Sequence, residues 1–211
     1  MENNAKIIAE YLLQIKAIKL QPSNPFTWAS GWKSPIYCDN RKTLSFPEVR
    51  SYIRDSFTAL ISELYPQADM IAGVATGAIA HGALVADKLG LPFIYVRSGA
   101  KEHGLGNQIE GYYEPEQKVV VIEDLISTGG SSLNAVKALK DSGCEVMGMV
   151  AIFTYEFKKA SDGFAAENCE LHTLGNYSVL VDTAVKTGYI GEAEVETLKK
   201  WRVDPSAWGQ G

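Results

Sequence analysis

A chain of 211 residues with 46% hydrophobic and 21% charged side chains can bury a sizeable core as one domain over 1–211, and it reads as an ordinary soluble protein. Its 25 acidic against 20 basic residues leave a formal net charge of −5, which argues against nucleic acid or an anionic membrane as the main partner and requires a local basic cluster for any anionic ligand. Cys38, Cys144 and Cys169 are odd in number, widely spaced and without a CxxC, so neither a disulfide framework nor a zinc site is indicated; no apolar run approaches membrane-spanning length and no cleavage signal is present, so the cytoplasm is the expected compartment.

In chain order, Ile7, Ile8, Tyr11, Leu12 and Ile15 keep a helical spacing, and the Pro- and Gly-punctuated stretch 26–41 reads as short strands and turns. Ser45 with Glu48 forms a capping-box pattern with Pro47 in the first turn, opening a long helix with a buried stripe of Val49, Ile53, Phe57, Leu60, Ile61 and Leu64. Residues 69–75 read as a strand, 77–89 as a helix stopped by Gly90 and Pro92, 93–97 as a strand and 98–111 as a polar loop. A β-branched strand over 119–122 leads to a helix over 131–142 that Gly143 stops; strands over 145–154 and 171–174 and helices over 177–186 and 192–201 follow. No repeat, linker or low-complexity tract interrupts the alternation, which argues for an α/β fold with a doubly wound, mainly parallel sheet and helices on both faces.

The run VVVIEDLISTGGSS, residues 119–132, carries the clearest chemistry. Its short β-branched strand suits a parallel sheet covered on both faces, so Glu123 and Asp124 should emerge at its carboxyl end, the edge where such sheets bind ligands. From Leu125 and Ile126 the chain must turn, and Ser127, Thr128, Gly129, Gly130 and Ser131 offer N–H groups and hydroxyls at the positive end of the next helix, a setting for phosphate. Two carboxylates beside that nest would repel a second phosphate but accept hydrogen bonds from vicinal hydroxyls, so the complementary ligand is a ribose bearing a 5-phosphate. The plainer reading, a solvated strand end followed by ordinary turn and cap residues, does not call for the acid pair. A Walker loop is excluded because no lysine follows the glycines, and Gly104 with Gly106 supplies only half of a dinucleotide fingerprint.

EDLISTGGS resembles the 5-phosphoribosyl 1-diphosphate (PRPP) signature of the type I phosphoribosyltransferases. FTWASGWKSPIYCDNR (26–41) resembles the N-terminal hood of the orotate-using branch of that family, and YVRSGAKEHG (95–104) its mobile catalytic loop, in one order over nearly the whole chain. The resemblance implies a type I phosphoribosyltransferase fold, with a small hood from about 1–45 on a core over 46–211. It implies a magnesium-dependent transfer of the 5-phosphoribosyl group from PRPP to orotate, giving orotidine 5-monophosphate and diphosphate in pyrimidine (UMP) synthesis. By the same resemblance Lys101, His103 and Asp124 are catalytic and Mg²⁺ is held mainly by PRPP. PRPP is bound by Glu123, Asp124, the 125–131 turn (Leu125, Ile126, Ser127, Thr128, Gly129, Gly130, Ser131), Lys101 and His103. Arg97 acts from the neighbouring subunit of a homodimer, and Ser127 also contacts orotate.

Two segments complete the expected site. In GVATGAIAHG (73–82) the N–H groups near Ala75, Thr76 and Gly77 suit a diphosphate, or form a plain strand-to-helix turn. The stretch 97–106, with Arg97, Lys101, His103 and several glycines, suits a loop that moves and presents cations, or a solvated surface loop. Displacement at an anomeric carbon passes through an oxocarbenium-like state, so cations and magnesium must meet the charge on departing diphosphate. Some family members carry lysine where this chain has Ala29, Thr76 and Ser98, and arginine where it has Tyr155, so those contacts do not transfer. Lys33 or Arg41 remains to meet the orotate carboxylate. A purine or uracil enzyme is the nearest rival, disfavoured by the long hood. A PRPP-sensing regulator is the other, disfavoured because Lys6, Lys16, Lys19 and Lys33 against Glu2, Glu10 and Asp39 make too weak a basic surface.

Overall fold

The computed structural model describes residues 2–28, 31–97, 99 and 108–209. Its elements are α1 (Glu2–Gln14), β1 (Ile18–Leu20), β2 (Phe26–Thr27), β3 (Lys33–Ser34), β4 (Ile36–Cys38), a 3₁₀ helix (Asn40–Ser45), α2 (Pro47–Leu64), β5 (Met70–Val74), α3 (Ile79–Leu89), β6 (Phe93–Val96), β7 (Ile109–Glu110), β8 (Lys118–Ile126), α4 (Gly130–Asp141), β9 (Glu145–Thr154), α5 (Lys158–Ala166), β10 (Leu171–Asn176), α6 (Tyr177–Lys186) and α7 (Glu192–Val203).

The central sheet has six strands in the order β10-β9-β8-β5-β6-β7, all parallel except β7, which lies antiparallel on the β6 edge. Strand alternation sorts the core into two layers. On β8, Val119 and Val121 join Val136 and Leu139 of α4 and Phe164 of α5, whereas Val120 and Ile122 join Ile8, Leu12, Phe57 and Leu180 from α1, α2 and α6. This is the doubly wound α/β arrangement that the alternating pattern predicts. Gly73 and Gly82 let α3 lie close on the sheet: a Cβ on Gly73 would stand 2.9 Å from the Ala78 carbonyl oxygen, and one on Gly82 would stand 2.6 Å from the Phe93 ring. From β5 the chain winds outward to β6, then crosses back to place β8 on the other side of β5, so a crevice opens between the carboxyl ends of β5 and β8.

Several expectations shift. The Ser45 and Glu48 capping box does not form: Ser45 closes the 3₁₀ helix, Phe46 is the N-cap without a side-chain bond, and Pro47 starts α2. Glu48 instead accepts from the Tyr11 hydroxyl at 3.1 Å. Leu64, expected in the buried stripe, is exposed in the last turn of α2. The helix expected from Gly77 starts at Ile79, since 75–78 form a turn. Strands β1 and β7 and helix α5 have too few residues to print a period in the sequence, and pairing or packing against the finished sheet makes them.

The N-terminal segment carries two small antiparallel pairs, β1 with β4 and β2 with β3. An aromatic cluster fastens it to the core. Trp28 meets Trp201 of α7 edge-on at 5.6 Å and Tyr155 at 5.5 Å, and its indole N–H donates to the Ile36 carbonyl at 3.1 Å. Trp201, fully buried, also touches Phe157 and Tyr177. Trp201→Ala should therefore cost roughly 3–5 kcal/mol of unfolding free energy in denaturant titrations, whereas Val203→Ala, on a side chain 83% exposed, should stay within about 0.5 kcal/mol.

Candidate active site

Strand β8 outruns β5. The two pair as far as Gly73 and Ile122, after which β8 continues to Ile126 against β9 alone. The acids therefore lie within the strand, two residues before its end, and not beyond it as the sequence reading has them, because β9 keeps pairing through Thr154. At Asp124 the backbone finds side-chain partners: its N–H donates to Glu123 Oε1 at 3.0 Å, and its carbonyl accepts from Asn40 Nδ2 at 2.5 Å.

Alternation starts the two side chains on opposite faces, but the Glu123 carboxyl folds back far enough to meet that of Asp124. Glu123 is 5% exposed on the α4 side, where its second oxygen accepts from the Ser132 hydroxyl at 2.9 Å. Burial, and next the charge of Asp124, push the Glu123 carboxyl well above the ordinary carboxylate range. Asp124 lies on the crevice side, against Gly77, where a Cβ on residue 77 would run into its carboxylate. Burial also raises Asp124, while a hydrogen bond from Glu123 and the positive charge of Arg41 pull it back down. The sequence reading treats the acids as an equivalent pair; the structure separates them into one that faces the crevice and one that braces its neighbour.

On either side of Asp124 lie two turns. Ala75, Thr76 and Gly77 follow β5, with a cis peptide between Ala75 and Thr76. Ser127, Thr128 and Gly129 follow β8, and Gly129 adopts φ +82° as the N-cap of α4, a conformation that glycine takes at no steric cost. No side chain caps α4, so the first-turn amides at Gly130, Ser131 and Ser132 are available to a ligand, with Gly130 and Ser131 exposed. Leu125 and Ser127 also border a cavity of about 280 Å³ whose other walls are Thr27, Trp28, Tyr37, Cys38 and Tyr155. The aromatic walls suit a flat heterocycle, and Ser127 is shared between this cavity and the anion-ready turn. Tyr155, known from sequence only as a missing arginine, is a buried wall of the cavity; burial pushes its phenol well above the ordinary range, so it stays neutral.

The cations are distributed unevenly. Lys33 reaches Thr27 Oγ1 at 2.8 Å and so stands at the cavity rim. Arg41 bonds Asp39 at 2.7 Å, and Arg97 pairs with Glu110 at 3.5 Å. Lys101 and His103 lie outside the described residues, as do Ala29 and Ser98. Among the described residues no group of three or more His, Cys, Asp or Glu side chains gathers as a metal cage; the hard oxygen donor at the crevice is Asp124. Sequence reasoning missed Trp28, Tyr37, Cys38 and Tyr155 as cavity walls, although the aromatic spacing of 26–38 was a visible sign of a packed hood.

A phosphoribosyl transferase domain model matches residues 50–185. The orotate phosphoribosyltransferase of Bacteroides fragilis is 60% identical over 211 residues, all of both chains, and that of Bacillus caldolyticus is 57% identical over 96% of this chain and 98% of its own. Among solved structures, orotate phosphoribosyltransferase from Aeropyrum pernix superposes with a TM-score of 0.76 at 26% identity, covering 87% of this chain and 99% of its own.

Beneath the crevice, His81 in the first turn of α3 is 1% exposed. The Thr43 hydroxyl donates to the Asn40 carbonyl at 2.5 Å, so its contact with His81 Nε2 at 2.9 Å has the imidazole as donor. Nδ1 is then a bare acceptor and has no hydrogen-bond partner. Burial, and next the Arg50 charge, depress His81 from 6.5 to about 4. Unfolded chains bind this proton below about pH 6.5 and the folded protein only near pH 4, so the contribution to stability is full above 6.5 and is lost as pH falls towards 4. Unfolding free energies measured across that window should drop by up to about 3 kcal/mol more for the wild type than for His81→Gln.

Proposed function

The chain belongs to the orotate phosphoribosyltransferase family and has the type I phosphoribosyltransferase fold, and on that premise we propose the following mechanism for joining orotate to PRPP, the step of pyrimidine synthesis that gives orotidine 5-monophosphate and diphosphate. The observation that carries it is the sharing of Ser127 between the aromatic cavity and the phosphate-ready turn, because a base must sit within bonding distance of a sugar whose phosphate is held next door.

The 5-phosphate rests on the first-turn amides of α4 with the hydroxyls of Ser127, Thr128 and Ser131. Asp124 accepts the ribose hydroxyls. Glu123, with both oxygens already engaged, chiefly holds Asp124 in place. The diphosphate lies along Ala75, Thr76 and Gly77. Orotate stacks against Trp28, Tyr37 and Tyr155, with Ser127 at its edge and Lys33 at the rim to meet its carboxylate. The bond from the anomeric carbon to diphosphate oxygen breaks, one to an orotate ring nitrogen forms, and that nitrogen gives up its proton to the departing diphosphate. Lys101 and His103 supply positive charge to the leaving group, and exclusion of water protects the oxocarbenium-like centre. Mg²⁺ would be held mainly by PRPP oxygens beside Asp124 and would neutralise charge on the leaving diphosphate.

Residues 1–211 act as one domain, with a hood over 1–45, in a cytoplasmic homodimer whose Arg97 serves the neighbouring site. No helix among the described residues is long and apolar enough to cross a membrane.

Ultraviolet absorbance of orotate with PRPP, Mg²⁺ and catalytic protein tests the reaction, with uracil, adenine, guanine and xanthine in parallel. Loss of orotate alone, dependent on PRPP and metal, is expected; turnover of another base would overturn the base assignment. Gly77→Ala places its methyl on the Asp124 carboxylate and not on backbone, so it should raise the KM for PRPP roughly tenfold, about 1.4 kcal/mol, and lower kcat as well by pushing Asp124 aside, while thermal unfolding changes little. Weakened orotate binding alone would contradict that placement.

A further inference from the structure

Asn40 and Thr43 stand on the 3₁₀ helix at 1% and 0% exposure, buried in a chain whose core on that side of the sheet is built from aliphatic and aromatic side chains. Polar side chains in such a place cost free energy unless every group is met. Here they are met in one direction. His81 donates to Thr43, Thr43 donates to the Asn40 carbonyl, and the Asn40 amide donates to the Asp124 carbonyl, over steps of 2.9, 2.5 and 2.5 Å. The Asn40 amide oxygen in turn accepts from the Cys38 thiol at 3.3 Å. Cys38 borders the aromatic cavity, and His81, in the first turn of α3, follows Gly77 of the preceding turn by four residues. One buried chain of hydrogen bonds therefore touches the base cavity, the acid facing the crevice, and the helix that carries the diphosphate turn. Its partners lie 38 and 84 residues apart in sequence, so it is a tertiary tie and not a local cap.

Resting on the proposed function, we propose that Asn40 and Thr43, anchored by His81, are positioning residues that hold Asp124 in register with the base cavity and the diphosphate turn. None of the three reaches a substrate: Asn40 grips the carbonyl of the residue whose side chain does. The consequence is chemical, because the Asp124 N–H and C=O have no strand partner beyond β5, and release of either lets the carboxylate drift from the ribose hydroxyls. Misplacement of a reacting group by about 1 Å can cost on the order of a hundredfold in rate.

The test compares Thr43→Val, which keeps the shape and removes the hydroxyl, with Thr43→Ser, which restores it, in steady-state assays of orotate and PRPP turnover well below each variant's melting temperature. Thr43→Val should lose roughly ten- to a hundredfold in kcat with a small change in the KM for orotate, and Thr43→Ser should recover to within about twofold of the wild type. Val181→Ala, a core truncation in α6, reports what loss of stability alone does. A Thr43→Val protein with wild-type kcat, or with no greater loss than Val181→Ala at matched melting temperature, overturns the proposal. Should Thr43→Val fail to fold, Asn40→Ser, too short to reach the Asp124 carbonyl, is read in the same assay by the same criteria. Failure of the wild type to consume orotate would instead strike the proposed function, which keeps the two conclusions separable.

Discussion

Because β8 outruns β5, Asp124 carries a backbone N–H and C=O that no neighbouring strand pairs, and at a largely buried edge each unmet group would cost about 1–3 kcal/mol. Much of the crevice can be understood as the answer to that constraint. Glu123 is spent on the N–H and thereby takes its carboxyl under α4, where Ser132 meets its second oxygen. Asn40 is spent on the carbonyl, and the 3₁₀ helix that carries Asn40 is consequently pinned to the ligand edge of the sheet. A parallel strand that ended level with β5 would need neither residue. It would also present no acid between the two turns that receive phosphates.

The same burial that orders the acids makes them poor at holding charge. Both carboxyls are raised by desolvation, Glu123 also by its neighbour, and Asp124 is eased back by Glu123 and by Arg41. An acid in that condition gains from any donor that approaches it, since a hydrogen bond to the charged form stabilises the charge. Ribose hydroxyls are such donors, and a hydrated divalent cation is another. The net charge of −5 disfavours anionic substrates at long range, so attraction must be local: the α4 amides, Lys33 at the rim, Arg41 acting on Asp124 and Arg97 near the β6 end are described positive groups around the crevice.

The hood works through aromatic packing. Trp28, Tyr155 and Trp201 come from the N-terminal segment, the exit of β9 and α7, and they meet in one cluster. Trp28 and Tyr155 bury one surface there and turn another to the cavity, so the packing that fastens the hood also builds the base pocket. Stability and specificity share atoms at this place. A substitution that adapts the pocket to another base acts on the hood's attachment as well.

The run from Val119 to Ser132 was legible as a strand entering a phosphate-ready helix because β-branched residues, acids, hydroxyls and glycines each state a local requirement, and local requirements are written in consecutive residues. The alternating α/β order, the stripe of α2 and the glycine at residue 129 follow for the same reason. Where an element stops is less local. The end of β8 was placed early because β9 sets it, and the start of α2 was misplaced because the 3₁₀ helix claims Ser45. The wall made by Tyr155 and the tie from His81 to Asn40 left no trace a reader of the sequence could use. Each is a matter of which groups, tens of residues apart, are brought into one dry place and must satisfy one another there, and only the closing of the sheet and its layers decides that.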